Sequence, residues 1–332
     1  MLSYILALQY ALGNSNLSAG HLFDEMKSAT ILPENYWQIW NSDRQFTVFI
    51  QISIACTLSS LIHSRRSRMR NCALLIDTFN QGTGMSLNTH QEVAIVTGAS
   101  RGIGAEIAKQ LGRDGYAVVV NYAGSAAEAQ AVVAAIVAAQ GQAIAVQADV
   151  ADAAAVEAMF EQAISSFGRV DVLINNAGIM PAQLPLLADT DDATFDRLIA
   201  VNLKGSFNTM RAAAHRLQQG GRIVNFSTSV IGLALPGYSV YAATKAAIET
   251  MTNIFAKELR GKQITVNAIA PGPTSTALFL DGKTPELIER MSRMAPLERL
   301  GSPEDIARAV AFLAAPGNWV NGQTLRANGG LV

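Results

Sequence analysis

The chain has 332 residues, half of them apolar, and a formal net charge of −1. That is globular, core-forming material, and a charge near zero gives no electrostatic ground for a nucleic-acid partner. Its two cysteines (Cys56 and Cys72) both lie early, and its four histidines (His21, His63, His90, His215) are scattered without ligand spacing, so no disulfide framework is expected beyond residue 72 and no metal site anywhere.

Residues 1–84 read differently from the remainder. They hold both cysteines, two of the three tryptophans and no regular alternation of elements. Residues 46–62 form an apolar run, and Arg65, Arg66, Arg68 and Arg70 follow it. Such a run with basic residues after it fits a membrane anchor, although it falls short of the ~20 residues of a spanning helix and is diluted by Gln51 and serines. The opening residues lack the basic start of a secretory signal. Met85 stands where a compact domain would begin, which makes residues 1–84 an extension outside the fold and Met85 the expected true start. A membrane anchor at 46–62 and a soluble accessory segment remain the alternatives.

Strand and helix alternate from residue 92. The run 92–97 is short and β-branched, as a buried strand requires. A loop with Gly98, Gly102 and Gly104 follows, then a helix with Ile103, Ile107, Ala108 and Leu111 on one face. Glycines let the backbone turn and let a phosphate approach, and free N–H groups at a helix start bind that anion. Further strands are predicted at 116–121, 142–147, 170–175, 222–227, 264–270 and 324–326. Helices are predicted over 125–140, after the cap Asp152, over about 191–218, over about 239–259, and after Ser302 with Pro303 and Asp305 in its first turn. This order predicts an α/β fold, a doubly wound parallel sheet with helices on both faces, as one domain over 85–332.

In such sheets a ligand lies at the carboxyl ends of the strands. Polar or glycine-rich clusters fall there: 97–104, Asn121, Asp149 and Val150, 175–178, 227–229 and 271–274. Tyr241 and Lys245 stand four apart on a predicted helix and share one face. A free tyrosine titrates near ~10, and a nearby positive charge favours the phenolate. Tyr241 is thereby expected to work as general acid toward a carbonyl and as base in the reverse direction.

These motifs in this order resemble the short-chain dehydrogenase/reductase family in its compact single-domain, Rossmann-like form, over residues 90–332, with 3-oxoacyl-reductase-like members among the nearest in kind. TGASRGIG (97–104) is similar to the family's cofactor loop, NNAG (175–178) to its motif after strand four, and Tyr241 with Lys245 to its catalytic pair. The resemblance implies cofactor contacts at Gly98, Ser100, Arg101, Gly102, Ile103 and Gly104, and at Asn176, Ala177 and Gly178. It also implies Asp149 and Val150 beside the adenine, Pro271, Gly272 and Thr274 beside the nicotinamide, and Lys245 on the nicotinamide ribose. Asn202 in VNLKG matches the family's catalytic asparagine, which holds a proton-relaying water. Ser229 fits the family's Ser-x-x-Gly pattern and is the expected catalytic serine. Its distance to Tyr241 is one residue short, which keeps Ser227 open.

Strand two ends on Asn121 rather than on the acidic residue that usually binds the ribose of NAD, and Arg101 in the loop suits a ribose phosphate. NADP(H) is therefore favoured over NAD(H). The substrate pocket is expected to use Ile179, Met180 and Leu184, with a mobile flap carrying Thr274, Thr276, Leu278, Phe279 and Leu280. Arg211 and Arg216 are read as solvated charges, and no dock for an acyl carrier protein is seen. The implied activity is NADP(H)-linked interconversion of a carbonyl compound and an alcohol, including 3-oxoacyl thioesters. The alternative is a catalytically silent NADP(H)-binding redox sensor. A cytoplasmic homotetramer is implied, with no membrane partner for 85–332.

Overall fold

The computed structural model describes residues 91–332. The readings of residues 1–84, of Met85 as a start and of an anchor at 46–62 lie outside the described residues.

Seven parallel strands form one sheet: β1 (Val93–Val96), β2 (Ala117–Tyr122), β3 (Gln142–Gln147), β4 (Val172–Asn175), β5 (Arg222–Phe226), β6 (Thr265–Pro271) and β7 (Thr324–Ala327). Their order is β3-β2-β1-β4-β5-β6-β7. Strand order reverses between β1 and β4, so the crevice for a ligand opens at their carboxyl ends.

The helices are α1 (Gly102–Arg113), α2 (Ala126–Ala138), α3 (Ala153–Phe167), α4 (Asp192–Leu198), α5 (Gly205–Arg216), α6 (Val230–Leu233), α7 (Ser239–Glu258), α8 (Ala277–Leu280), α9 (Pro285–Met294) and α10 (Pro303–Ala314). Strand side chains alternate between two cores. Ala94 and Val96 face a core built with Ile107 and Leu111 of α1, Val132 of α2 and Val310 of α10. Ile95, Val119 and Leu173 face the other, with Phe160 of α3 and Met210 of α5. Burial of both faces explains why these strands read as continuous apolar runs.

Local chemistry starts and stops the helices as expected. Asp152 accepts from the N–H groups of Ala154 and Ala155 at the start of α3, and Gly168 ends it in a left-handed conformation (φ +82°). Ser302 and Asp305 form a reciprocal capping box on α10. The predicted helix over 191–218 is instead α4, a π-helical stretch (Ile199–Lys204) and α5. Asn202 sits in the π stretch, where the widened turn shifts the backbone register. The segment expected as a flap carries α8, and α9 follows it. Among the described residues no helix is long and apolar enough to cross a membrane.

The amino end of the sheet, opposite the crevice, is closed by charge pairing. Arg222 Nη2 donates to Glu92 Oε2 at 2.5 Å and to the Tyr116 hydroxyl at 3.1 Å, and Arg222 Nε donates to the Ala314 carbonyl at 2.7 Å. Functional polar residues must therefore be sought at the other end.

Candidate active site

The loop after β1 and the loop after β4 hold each other. Asn176 Nδ2 donates to the carbonyls of Thr97 and Gly98 at 2.9 and 3.0 Å, and the Ala177 N–H donates to Thr97 Oγ1 at 3.0 Å. Two glycines make this possible. Gly98 has φ +61°, and a Cβ there would stand 2.9 Å from the Ala177 Cα. A Cβ at Gly104 would collide with the Asn176 amide and lie 2.5 Å from the Gly98 carbonyl. No side chain caps α1 and no acidic residue sits in its first turn, which leaves its first N–H groups free for an anion. Arg101, at the cap position, is exposed, and its side chain has no hydrogen bond or ion pair among the described residues. Glycine cradle, open helix start and free guanidinium together fit a dinucleotide phosphate.

The expectation for Asn121 needs correction. Its side chain is turned inward, with 1 % exposure. Its Oδ1 accepts from the Gly98 N–H at 3.2 Å, and its Nδ2 donates to the carbonyls of Val146 and Ala148. Asn121 thus ties the glycine loop to β3 instead of facing a ribose. Val150 is likewise buried, packed where α5 begins at Gly205. Asp149 stays partly open, 3.6 Å from the Arg197 guanidinium.

Tyr241 and Lys245 lie on one face of α7 and both line a cleft above β4, β5 and β6. Lys245 Nζ donates to the Phe226 carbonyl at 2.9 Å. Burial lowers its pKa to about 8. Gly178 lies beside it, and a Cβ there would stand 3.3 Å from Asn202 Oδ1 and 3.4 Å from Lys245 Nζ. The Asn202 side chain is fully engaged. Its Oδ1 accepts from the Ile179 N–H at 2.8 Å and its Nδ2 donates to the Ile179 carbonyl at 2.9 Å. It pins the loop after β4 beside Lys245.

The expected acidification of Tyr241 by Lys245 is reversed in this state. Burial pushes the phenol up to about 12, the neighbouring Thr228 hydroxyl opposes the rise, and Tyr238 adds to it. Removal of the phenolate from water outweighs any charge nearby.

Three consecutive hydroxyls leave β5, and each finds a different partner. Ser227 Oγ donates to Glu249 Oε1 at 2.6 Å. Ser229 Oγ donates to the Ala270 carbonyl at 2.9 Å and accepts from Asn328 Nδ2 at 3.0 Å. Thr228 Oγ1 accepts from the Val230 N–H at 3.3 Å, and Thr228 is the residue of the three that lowers the Tyr241 pKa. Neither serine named from the sequence does so. The signal was present: Ser229 stands one residue too near Tyr241, and the residue one step earlier is Thr228. Glu249, one helical turn beyond Lys245, was also missed.

The cleft has a cavity volume of about 160 Å³ and opens to solvent. Ile179 and Met180 line it, and so do Thr274, Thr276, Leu278 and Phe279. Leu184 and Leu280 do not. Leu184 instead presses its backbone on Gly237.

A family model described as enoyl-(acyl carrier protein) reductase matches residues 98–332. An NADPH-dependent aldehyde reductase-like chloroplastic protein of Arabidopsis thaliana is 46 % identical over 253 residues, covering 72 % of this chain and 94 % of that one. A 3-oxoacyl-(acyl-carrier-protein) reductase of Staphylococcus aureus is 45 % identical over 241 residues, covering 72 % of this chain and 97 % of that one. Among solved structures, a short-chain dehydrogenase of Burkholderia cenocepacia in complex with NADP aligns with TM-score 0.69 and 39 % identity, over 74 % of this chain and 99 % of that one. Fold, cradle and sequence likeness agree: the chain belongs to the short-chain dehydrogenase/reductase family and is an oxidoreductase of that family, acting on CH–OH or carbonyl groups.

Proposed function

We propose that this enzyme reduces aldehydes and ketones with NADPH, with Tyr241 as proton donor and Thr228 as the hydroxyl that directs the carbonyl. The observation that carries the reading is that Tyr241, Lys245 and Thr228 line one apolar cleft, with Thr228 beside the phenol and lowering its pKa. Bound NADPH supplies the hydride to the carbonyl carbon. Tyr241 gives its proton to the carbonyl oxygen, so carbonyl, hydride and proton together make the alcohol. At neutral pH the phenol carries the proton that a general acid must give. The Thr228 hydroxyl, on the wall of the same cleft, steadies the negative charge growing on the same oxygen. Lys245, held by the Phe226 carbonyl, stands ready to contact the nicotinamide ribose. Asn202 acts by fixing the loop at Ile179 next to that lysine.

NADP(H) is favoured over NAD(H) by Arg101, exposed at the start of α1 with no partner among the described residues. Relatives named as NADPH-dependent and neighbours bound to NADP or NADPH support the same choice. Ser100, Gly102, Ile103 and Gly104 would hold the phosphates, and Pro271, Gly272 and Thr274 would flank the nicotinamide. An aldehyde and ketone panel that includes a 3-oxoacyl thioester, run with NADPH and NADH, tests the reading. Tyr241→Phe is its control. Tight NADPH binding without turnover of any compound would favour the redox-sensor alternative.

A homotetramer is part of this reading. Phe312, Trp319 and Leu325 are exposed near the edge strand β7, which supports a subunit contact there. Light scattering on the purified protein tests it. The expected location is the cytoplasm, and cell fractionation separates this from tethering through 46–62.

A further inference from the structure

Three side-chain bonds join helix α7, which carries Tyr241 and Lys245, to the end of β5. Lys245 Nζ donates to the Phe226 carbonyl at 2.9 Å, Ser227 Oγ donates to Glu249 Oε1 at 2.6 Å, and Asn225 Nδ2 donates to Thr252 Oγ1 at 2.8 Å. Lys245, Glu249 and Thr252 stand four and three residues apart, so they share one helix face. Their partners are three consecutive residues. The rung at Asn225 is braced from behind, since its Oδ1 accepts from Asn175 Nδ2 at 2.9 Å and Asn175 Oδ1 accepts from the Thr209 hydroxyl of α5.

The other two rungs meet at one peptide unit. The Phe226 carbonyl takes the ammonium, and the Ser227 N–H of the same unit donates to the Ile269 carbonyl of β6 at 2.8 Å. A peptide unit is planar, so holding Ser227 fixes where the Phe226 carbonyl points. That carbonyl is the one hydrogen-bond partner of the Lys245 ammonium among the described residues, and the bond leaves two of its donors for a ligand. The Ser227–Glu249 length is that of a hydroxyl donating to a carboxylate, which is stronger than a bond between neutral groups. Ser227 lines the cleft and Glu249 does not, so Glu249 reaches the site only through Ser227.

We propose that Glu249 is a positioning residue: through Ser227 it holds the Phe226–Ser227 peptide, and so sets the place of the Lys245 ammonium that meets the nicotinamide ribose. The inference rests on the proposed function above, which gives Lys245 that contact.

The test measures dissociation constants for NADPH and for adenosine 2′,5′-bisphosphate, which has the adenine end of the cofactor without the nicotinamide ribose. Glu249→Leu should weaken NADPH about ten-fold, the worth of one hydrogen bond to a charged group, and change the bisphosphate less than about two-fold. Glu249→Gln keeps an acceptor for Ser227 and should recover most of the loss. Ser227→Ala should match Glu249→Leu, and the double variant should be no weaker than either, because both remove the same bond. Ser227→Ala also carries the test should Glu249→Leu fail to fold. General damage to the fold would weaken both ligands alike, and that result overturns the inference. So does unchanged NADPH affinity in Glu249→Leu and Ser227→Ala, or a Glu249→Gln as weak as Glu249→Leu. A wild type that binds NADPH but turns over no carbonyl compound overturns the proposed function, while the two affinities still decide the role of Glu249.

Discussion

Thr228 stands beside the Tyr241 phenol and lowers its pKa, while Ser229, the next residue, has its hydroxyl between the Ala270 carbonyl and the Asn328 amide. Adjacent side chains of nearly identical chemistry thus belong to different parts of the molecule. Thr228→Val keeps the shape and removes the hydroxyl, and kcat should fall about 100-fold or more. Thr228→Ser should stay within a few-fold of wild type, and Ser229→Ala should keep most activity. Steady-state kinetics on one aldehyde decides this. An inactive Ser229→Ala beside an active Thr228→Val would return the role to Ser229.

Lys245 is buried, and its pKa falls from 10.5 to about 8. Below about 8 the folded protein carries a buried cation that the unfolded chain holds in water. Between about 8 and 10.5 the unfolded chain binds more protons at this site, so stability rises with pH across that window. Lys245→Met removes the burden. It should melt higher than wild type at pH 7, with the gap closing as pH climbs through the window, while activity is lost. Thermal melts across that range check it. A gap that widens with pH would contradict the assignment.

Arg101 has no protein partner among the described residues, so its removal should cost little stability. Arg101→Ala should raise KM for NADPH about 10- to 100-fold, the worth of charge-assisted bonds to a phosphate. KM for NADH should barely move. Parallel weakening of both cofactors would mean that Arg101 does not read the ribose phosphate.

A methyl at Gly104 would collide with the Asn176 amide and the Gly98 carbonyl, both fixed by other bonds. Gly104→Ala should therefore weaken NADPH binding at least about ten-fold and lower the melting temperature by several degrees, since forced overpacking costs roughly 1–3 kcal/mol. Fluorescence titration with NADPH and a thermal melt measure both. A control at Gly124, where a methyl meets nothing within 4 Å, separates the collision from the loss of a glycine as such.

Much of the fold is legible in the chain because its elements are locally consistent. The apolar runs, the Asp152 and Ser302 caps and the Gly168 stop all act within one turn of themselves. The helix over 191–218 was harder. Its residues suit a helix throughout, and the π stretch around Asn202 arises where α4 and α5 join, with the Asn202 amide paired to Ile179. The acidic partner of Ser227 was hidden for the same kind of reason, since Glu249 is 22 residues away in the chain.

From its residues alone the chain determines the strand and helix order, the place of the glycine loop and the pairing of Tyr241 with Lys245 on one helix face. Those features depend on neighbours within a few residues. Which hydroxyl meets Tyr241 depends on how β5 hands over to α6. Ser229 already has helical dihedrals (φ −69°, ψ −12°), so the two-residue alternation of a strand no longer tells where side chains point. The charge state of the phenol was decided there too, because burial is set by every element that closes over the cleft.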